Sequence, residues 1–136
     1  MKKIHAVGIV FENEASEILA LKRHAKSLEG NSWGLVGGNI DDGEDKLQAA
    51  LREAKEEVGH SIPADSLEFI KTYFWEFDYA QVIFEVFRYK IARHEVDIEL
   101  DKAENTEFMW EKPDVLRARN DMMHGLYPIL EDLYGK

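Results

Sequence analysis

The chain has no cysteine among its 136 residues. Disulfides, thiol catalysis and thiolate metal sites are therefore excluded, and a cytoplasmic setting is the expectation. Proline is scarce, with 3 residues, and no Pro-, Gly- or Ser-rich stretch marks a linker. There is no internal repeat and no low-complexity tract. No segment approaches the roughly 20 apolar residues of a membrane span. The start, MKKIHAVGIVFEN, joins two lysines to a short apolar run. His5 interrupts that run, Glu12 closes it, and no small-residue cleavage site follows, so it reads poorly as a signal peptide. Positive charge is also short: 17 basic residues stand against 27 acidic ones, for a formal net charge of −10. That balance disfavours non-specific binding to nucleic acid, which needs cations to replace counterions. It equally disfavours an anionic membrane surface. A polyphosphate stays open to such a protein if metal and a few local cations mediate. The length points to one domain over 1–136, with a sizeable core.

What is present concentrates in residues 38–60, GNIDDGEDKLQAALREAKEEVGH. Glu53, Glu56 and Glu57 stand at i, i+3 and i+4, so on a helix they share one face. Like charges so placed weaken an isolated helix by ~0.2–0.5 kcal/mol per i,i+4 pair. A fold that keeps them together is expected to offset the repulsion with a cation. Carboxylate oxygens without Cys or clustered His suit a hard ion, Mg²⁺ or Mn²⁺. Without metal, mutual repulsion should raise at least one of their pKa values. Arg52 and Lys55 lie beside this face. Upstream, Gly37-Gly38 allow the backbone to lie close to a ligand or to adopt positive φ. Asp41, Asp42, Glu44 and Asp45 cluster where a helix start favours negative charge. Leu47, Ala50, Leu51 and Ala54 form an apolar stripe, and Gly59 is a C-terminal stop. The segment reads as loop, helix, loop, with a buried side and an acidic side.

Elsewhere, residues 4–11 and 17–21 read as strands joined by a turn at Asn13-Glu14. Residues 25–32 read as a loop. Residues 67–77 and 81–91 read as an antiparallel pair turning at Asp78-Tyr79. Residues 94–100 mix charge with alternating apolar positions and stay ambiguous. Residues 107–111 read as a last strand, and Pro113-Asp114 open a short helix. Leu126, Ile129, Leu130 and Leu133 give a helical stripe that either begins or kinks at Pro128. This order is α+β or layered α/β.

Seven letters of residues 38–60, namely Gly38, Glu44, Arg52, Glu53, Glu56, Glu57 and Gly59, fill the pattern G-x5-E-x7-R-E-U-x-E-E-x-G-U, where U is bulky and apolar. At usage of ~5–7% per residue type, such a match arises by chance about once in 10⁹ starting points. The segment resembles the Nudix box of hydrolases that cleave a nucleoside diphosphate linked to another moiety. The resemblance implies an α+β fold of α/β/α layers, with a mixed β-sheet between helices and a loop-helix-loop box at 38–60. It implies a MutT-like, metal-dependent pyrophosphohydrolase on a small nucleotide-like diphosphate, most readily a nucleoside triphosphate. By the same resemblance Glu56 and Glu57 are metal ligands. Glu53 is a further ligand or the base that activates water. Arg52 orients a box glutamate, Glu44 supports that network or joins the metal shell, and the Gly37 carbonyl is a backbone ligand. Glu104 resembles the distal metal-binding glutamate, with Glu107 as runner-up. Arg23 resembles a phosphate-contacting arginine. Asn120 stands where some members read a purine, or else it is a helix N-cap. Phe74, Trp75 and Phe77 either stack on a base or belong to the core. A homodimer stays open. So do a nucleotide sensor without hydrolysis, an ADP-ribose or nucleotide-sugar hydrolase, and mRNA decapping, the last disfavoured by charge. Three positions depart from the family pattern. Val36 stands for the usual Pro, Ala54 is a small version of an apolar position, and His60 replaces the final apolar residue. None of these removes a metal ligand.

Overall fold

The computed structural model describes residues 2–27 and 29–135; Leu28, inside the expected loop 25–32, lies outside the described residues, as do both terminal residues. Among the described residues the chain forms strands β1 (Lys2–Glu12), β2 (Ile18–Arg23), β3 (Trp33–Gly34) and β4 (Val36–Asn39), then helix α1 (Lys46–Val58). Strands β5 (Glu68–Glu76), β6 (Ala80–Lys90) and β7 (Asn105–Glu111) follow, and helices α2 (Pro113–Arg117) and α3 (Leu126–Tyr134) close the order.

One mixed sheet is built around β1. Along one edge β1 runs parallel to β6 over its whole length, from Lys2↔Ala80 to Glu12↔Lys90. Along the other edge its end pairs with β2 at Glu12↔Ile18, while its middle pairs with β4 from Ala6↔Asn39 to Ile9↔Val36. Strand β2 pairs instead with β3 and β7. Beyond their hairpin, β1 and β2 therefore part, and residues 33–39 cross from one to the other. Alternation along the strands sorts the two faces. Val7, Ile9, Phe11, Leu19 and Leu21 pack under α1, whereas Val10, Ile18 and Ala20 pack under α2 and α3. The layers are α/β/α, as expected.

Several boundaries differ from the sequence expectation. The box opens on a strand, because Val36–Asn39 pairs with β1; only residues 40–45 form the connecting loop. Strand β7 begins at Asn105, two residues before the expected start. Residues 94–100 contain a 3-10 turn, Arg93–Glu95, and then extended chain outside the sheet. The alternation of Val96, Ile98 and Leu100 reflects one-sided packing beneath α1. This stretch also caps the helix: the N–H groups of Glu99 and Asp101 reach the Val58 and Glu57 carbonyls at 2.9 and 3.3 Å. Pro128 is the third residue of α3, inside the first turn where no N–H partner is needed, so the helix begins there unkinked.

Helix α1 starts at a reciprocal cap, with Asp45 and Gln48 exchanging bonds of 2.8 and 2.9 Å. It stops at Gly59, whose φ of 73° is left-handed. The face it buries carries Ala49, Ala50, Ala54, Glu57 and Val58. The expected stripe is thus rotated: Leu47 is 36% exposed, and Glu57 turns inward. Three fully buried alanines let the helix lie close on the sheet. His60 fills its apolar position by packing on Phe11 and meeting the Tyr89 hydroxyl at 2.9 Å. Ala54→Leu should destabilise the protein by about 1–3 kcal/mol through overpacking. Denaturant unfolding checks this; an unchanged midpoint would show that α1 has room to lift from the sheet.

Candidate active site

The crossing segment and α1 bring the box residues together. The Gly37 N–H donates to Glu57 Oε1 at 2.6 Å, and Asn105 Nδ2 donates to Glu57 Oε2 at 3.0 Å. Gly37 is required by close approach to backbone, and Gly38 leaves room for a side-chain end. A Cβ on Gly37 would collide with the Val7 carbonyl, and one on Gly38 with the Glu53 carboxylate. Glu57 is only 6% exposed. Burial is the main reason its pKa rises from 4.5 to about 8, with Glu53 and Glu104 adding and the two hydrogen bonds opposing. Glu53 is also raised, again chiefly by burial. Repulsion among the glutamates is therefore real but secondary to desolvation.

Arg52 is the hub of the exposed side. Its Nε and Nη2 grip Glu44 at 2.7 and 3.0 Å, and Nη2 also donates to the Asn39 carbonyl at 2.9 Å. Its Nη1 reaches Glu56 at 2.9 Å and Glu53 at 3.3 Å. This guanidinium holds Glu44 below the usual carboxylate range. Glu44 also accepts the Asp41 N–H at 2.9 Å and so folds the loop before α1.

A cleft of about 650 Å³ opens above these groups. Arg23, Gly37, Arg52, Glu53, Glu56 and Glu104 line it, as do Trp75, Phe77, Phe84, Met123 and His124. Arg23 is the last residue of β2, where a bulge before its pairing with Asn105 breaks the regular register. Of the two distal candidates, Glu104 lines the cleft, while Glu107 lies outside that lining and meets Lys22 at 3.5 Å. Glu57 sits beneath the lining. Asn120 is exposed, outside the lining, and caps no helix, since Lys112 precedes α2 and Gly125 precedes α3. Trp75 and Phe77 face the cleft, but Phe74 is 72% exposed and borders a separate groove of about 460 Å³. Asn105, buried and bonded to Glu57, was missed from sequence. A lone asparagine 48 positions from its partner carries no spacing signal.

Among the described residues no three His, Cys, Asp or Glu side chains form a ligating cluster. Arg52 stands between the Glu53 and Glu56 carboxylates instead. The donor set nevertheless fits a hard divalent cation. It is all oxygen, and it includes two carboxyls whose burial disfavours charge until a cation compensates.

Comparison with known proteins agrees with this geometry. The family model described as NUDIX domain matches residues 2–133. A protein named RNA pyrophosphohydrolase, from Ruthia magnifica subsp. Calyptogena magnifica, is 31% identical over 93% of this chain and 76% of its own length. An 8-oxo-dGTP diphosphatase of Escherichia coli K12 is 45% identical over 43% of this chain and 46% of its own length. In structure, a MutT protein from Methanosarcina mazei Go1 superposes with a TM-score of 0.83, covering 96% of this chain and 92% of its own, at 22% identity, which is a likeness of fold.

The raised Glu57 pKa has a consequence for stability. The folded chain binds this proton more tightly than the unfolded chain, so its contribution is fully present below 4.5 and is lost as pH rises through about 8. Without divalent cation, Glu57→Gln should therefore gain stability relative to the parent as pH rises from about 5 to 8. Paired thermal melts check this, and a pH-independent difference would show that Glu57 is charged throughout.

Proposed function

Because this chain belongs to the Nudix hydrolase family, we propose that it hydrolyses a nucleoside triphosphate or a closely related small nucleotide diphosphate. One observation carries this reading: a single cleft joins the box carboxylates to an aromatic wall. Water attacks phosphorus, the bond to the departing phosphate oxygen breaks, and the products from a triphosphate are a monophosphate and pyrophosphate. Nudix hydrolases generally use divalent metals; Mg²⁺ or Mn²⁺ bound here would neutralise the diphosphate and polarise the water.

Glu56, Glu57, Glu104 and the Gly37 carbonyl would hold that cation, with Glu53 beside them. Glu53 suits proton removal from water, because burial makes it a stronger base than an ordinary carboxylate. Arg52, locked by Glu44 and Asn39, keeps Glu53 and Glu56 oriented. Arg23 contributes positive charge near the phosphates. Asn105 and the Gly37 N–H fix the Glu57 rotamer.

The name of the Escherichia coli relative supports a triphosphate substrate. The name of the Ruthia relative supports a second reading, in which the triphosphate is the 5′ end of an RNA. The net charge of −10 weighs against a long polyanion. Retention of every box carboxylate favours hydrolysis over sensing. The cysteine-free composition fits a cytoplasmic setting.

A panel of nucleotides and a 5′-triphosphorylated RNA, with Mg²⁺ and product masses, tests this reading. Excess chelator should abolish turnover, and Glu57→Gln should lower it by at least roughly 10²-fold, on the scale of losing an important electrostatic group. Parental turnover in that variant on a cleaved substrate would remove Glu57 from the metal site. Arg23→Ala should raise KM about 5–50-fold and lower kcat less, as for loss of a charge-assisted contact shared by ground and transition states. Identical steady-state kinetics across several nucleotides would make Arg23 a surface cation only.

A further inference from the structure

The turn that leads into β7 carries a carboxylate to the cleft and is pinned from behind by a buried amide. Glu104 lines the cleft, whereas Asn105, 3% exposed, lies outside that lining. The N–H groups of Glu104 and Asn105 both reach the Asp101 carbonyl, at 3.0 and 2.9 Å, so residues 101–105 form a closed turn. The Asp101 N–H donates to the Glu57 carbonyl at 3.3 Å, and the Glu104 carbonyl accepts the His24 N–H at 2.9 Å. From this turn a side-chain bond crosses to the box, Asn105 Nδ2 to Glu57 Oε2 at 3.0 Å, while the Gly37 N–H holds Oε1 at 2.6 Å. A carboxylate oxygen held by one neutral donor keeps a further lone pair for a cation. The residue type at 105 suits that use. An arginine or lysine there would cancel the charge of Glu57 and compete with a cation, and an aspartate would repel Glu57. A neutral amide orients the carboxylate and leaves its charge to a metal.

We propose that Asn105 is a positioning residue that couples the box to the distal carboxylate. Its amide orients Glu57 and, by the same bond, seats the turn that presents Glu104, so that both carboxylates serve one divalent cation. This rests on the metal-dependent reading of the site given above, and it reaches beyond the Glu57 rotamer, because Glu104 keeps its place only while Asn105 holds the turn against α1. The strand pairing favours such a role. Strand β7 pairs regularly with β2 from Glu111↔Ile18 to Glu107↔Lys22, but the register shifts before Asn105↔Arg23. The ladder is therefore a weaker guide for this end of β7 than for the rest of the strand. The amide bond to Glu57 supplies the guide that the bulge removes.

The test is Mn²⁺ binding, followed by the electron paramagnetic resonance signal of the free ion. The parent chain, Asn105→Leu, Glu104→Gln and the double variant are compared. Leucine keeps the size of the side chain and removes the donor. Asn105→Leu should weaken Mn²⁺ binding about 10–100-fold, the scale for losing a group that orients a metal ligand. Glu104→Gln should weaken it about tenfold in the parent but less than about threefold in Asn105→Leu, where Glu104 is already misplaced, a non-additivity that a double-mutant cycle resolves. Asn105→Ala carries the same cycle if the leucine variant fails to fold. An asparagine that only packs would lower the thermal midpoint without metal and leave the two losses additive, which would overturn the proposal. So would parental Mn²⁺ affinity in both Asn105 variants. If the parent bound no Mn²⁺ and cleaved no nucleotide, the metal-dependent reading itself would fall, and this inference with it. Mn²⁺ binding that Glu57→Gln weakens and Asn105→Leu does not would overturn the inference alone.

Discussion

A buried carboxylate ties the site to the fold. Glu57 accepts from the Gly37 backbone and from Asn105, and these contacts join α1 to β4 and to the first residue of β7. Each partner is supplied by a different part of the chain. The Gly37 N–H comes from β4, at the end of the segment that crosses from β2 to β1, and Asn105 comes from the first position of β7. The cost of burying Glu57 shows in its raised pKa. A buried carboxyl so perturbed inside a cleft wall marks a functional-site candidate.

The divergence of β1 and β2 explains much of the rest. It opens the gap that residues 33–39 bridge. Only glycine fits at 37, which is pressed on the Val7 carbonyl, while a side chain at 38 would displace the Glu53 carboxylate. Alanines at 49, 50 and 54 bring α1 down onto the sheet and set the rotation that turns Glu57 inward. Arg52, on the outer side of the same helix, then gathers Glu44, Glu53 and Glu56. Helix rotation therefore divides the box into a buried member and an exposed network.

The net charge of −10 is reconciled locally with the polyphosphate substrate proposed above. Arg23 and Arg52 line the carboxylate part of the cleft, and a divalent cation would add the remaining positive charge. The aromatic wall supplies stacking area with little formal charge, apart from Glu29 and its histidine partner.

The box and its helix were legible in the sequence, because seven letters at set spacing and a 3.6-residue period are local properties. Strands β1, β2, β5 and β6 were legible as apolar, aromatic and β-branched runs, but their order alone did not identify the layers, which came from the family resemblance of the box. Residues 94–100 resisted assignment because their alternation comes from packing under α1 rather than from sheet pairing. Strand β4 escaped because Val-Gly-Gly-Asn has little strand propensity; its pairing is imposed by β1. That Asn105 bonds Glu57, that Glu104 rather than Glu107 lines the cleft and that Asn120 lies outside its lining all needed tertiary structure. The sequence by itself determined the chemical family and the carboxylate helix, since both are written in short-range spacing. The tertiary structure decided which carboxylate is buried, what holds it and which side chains line the cleft, because burial and contact across 48 residues depend on how sheet and helix pack.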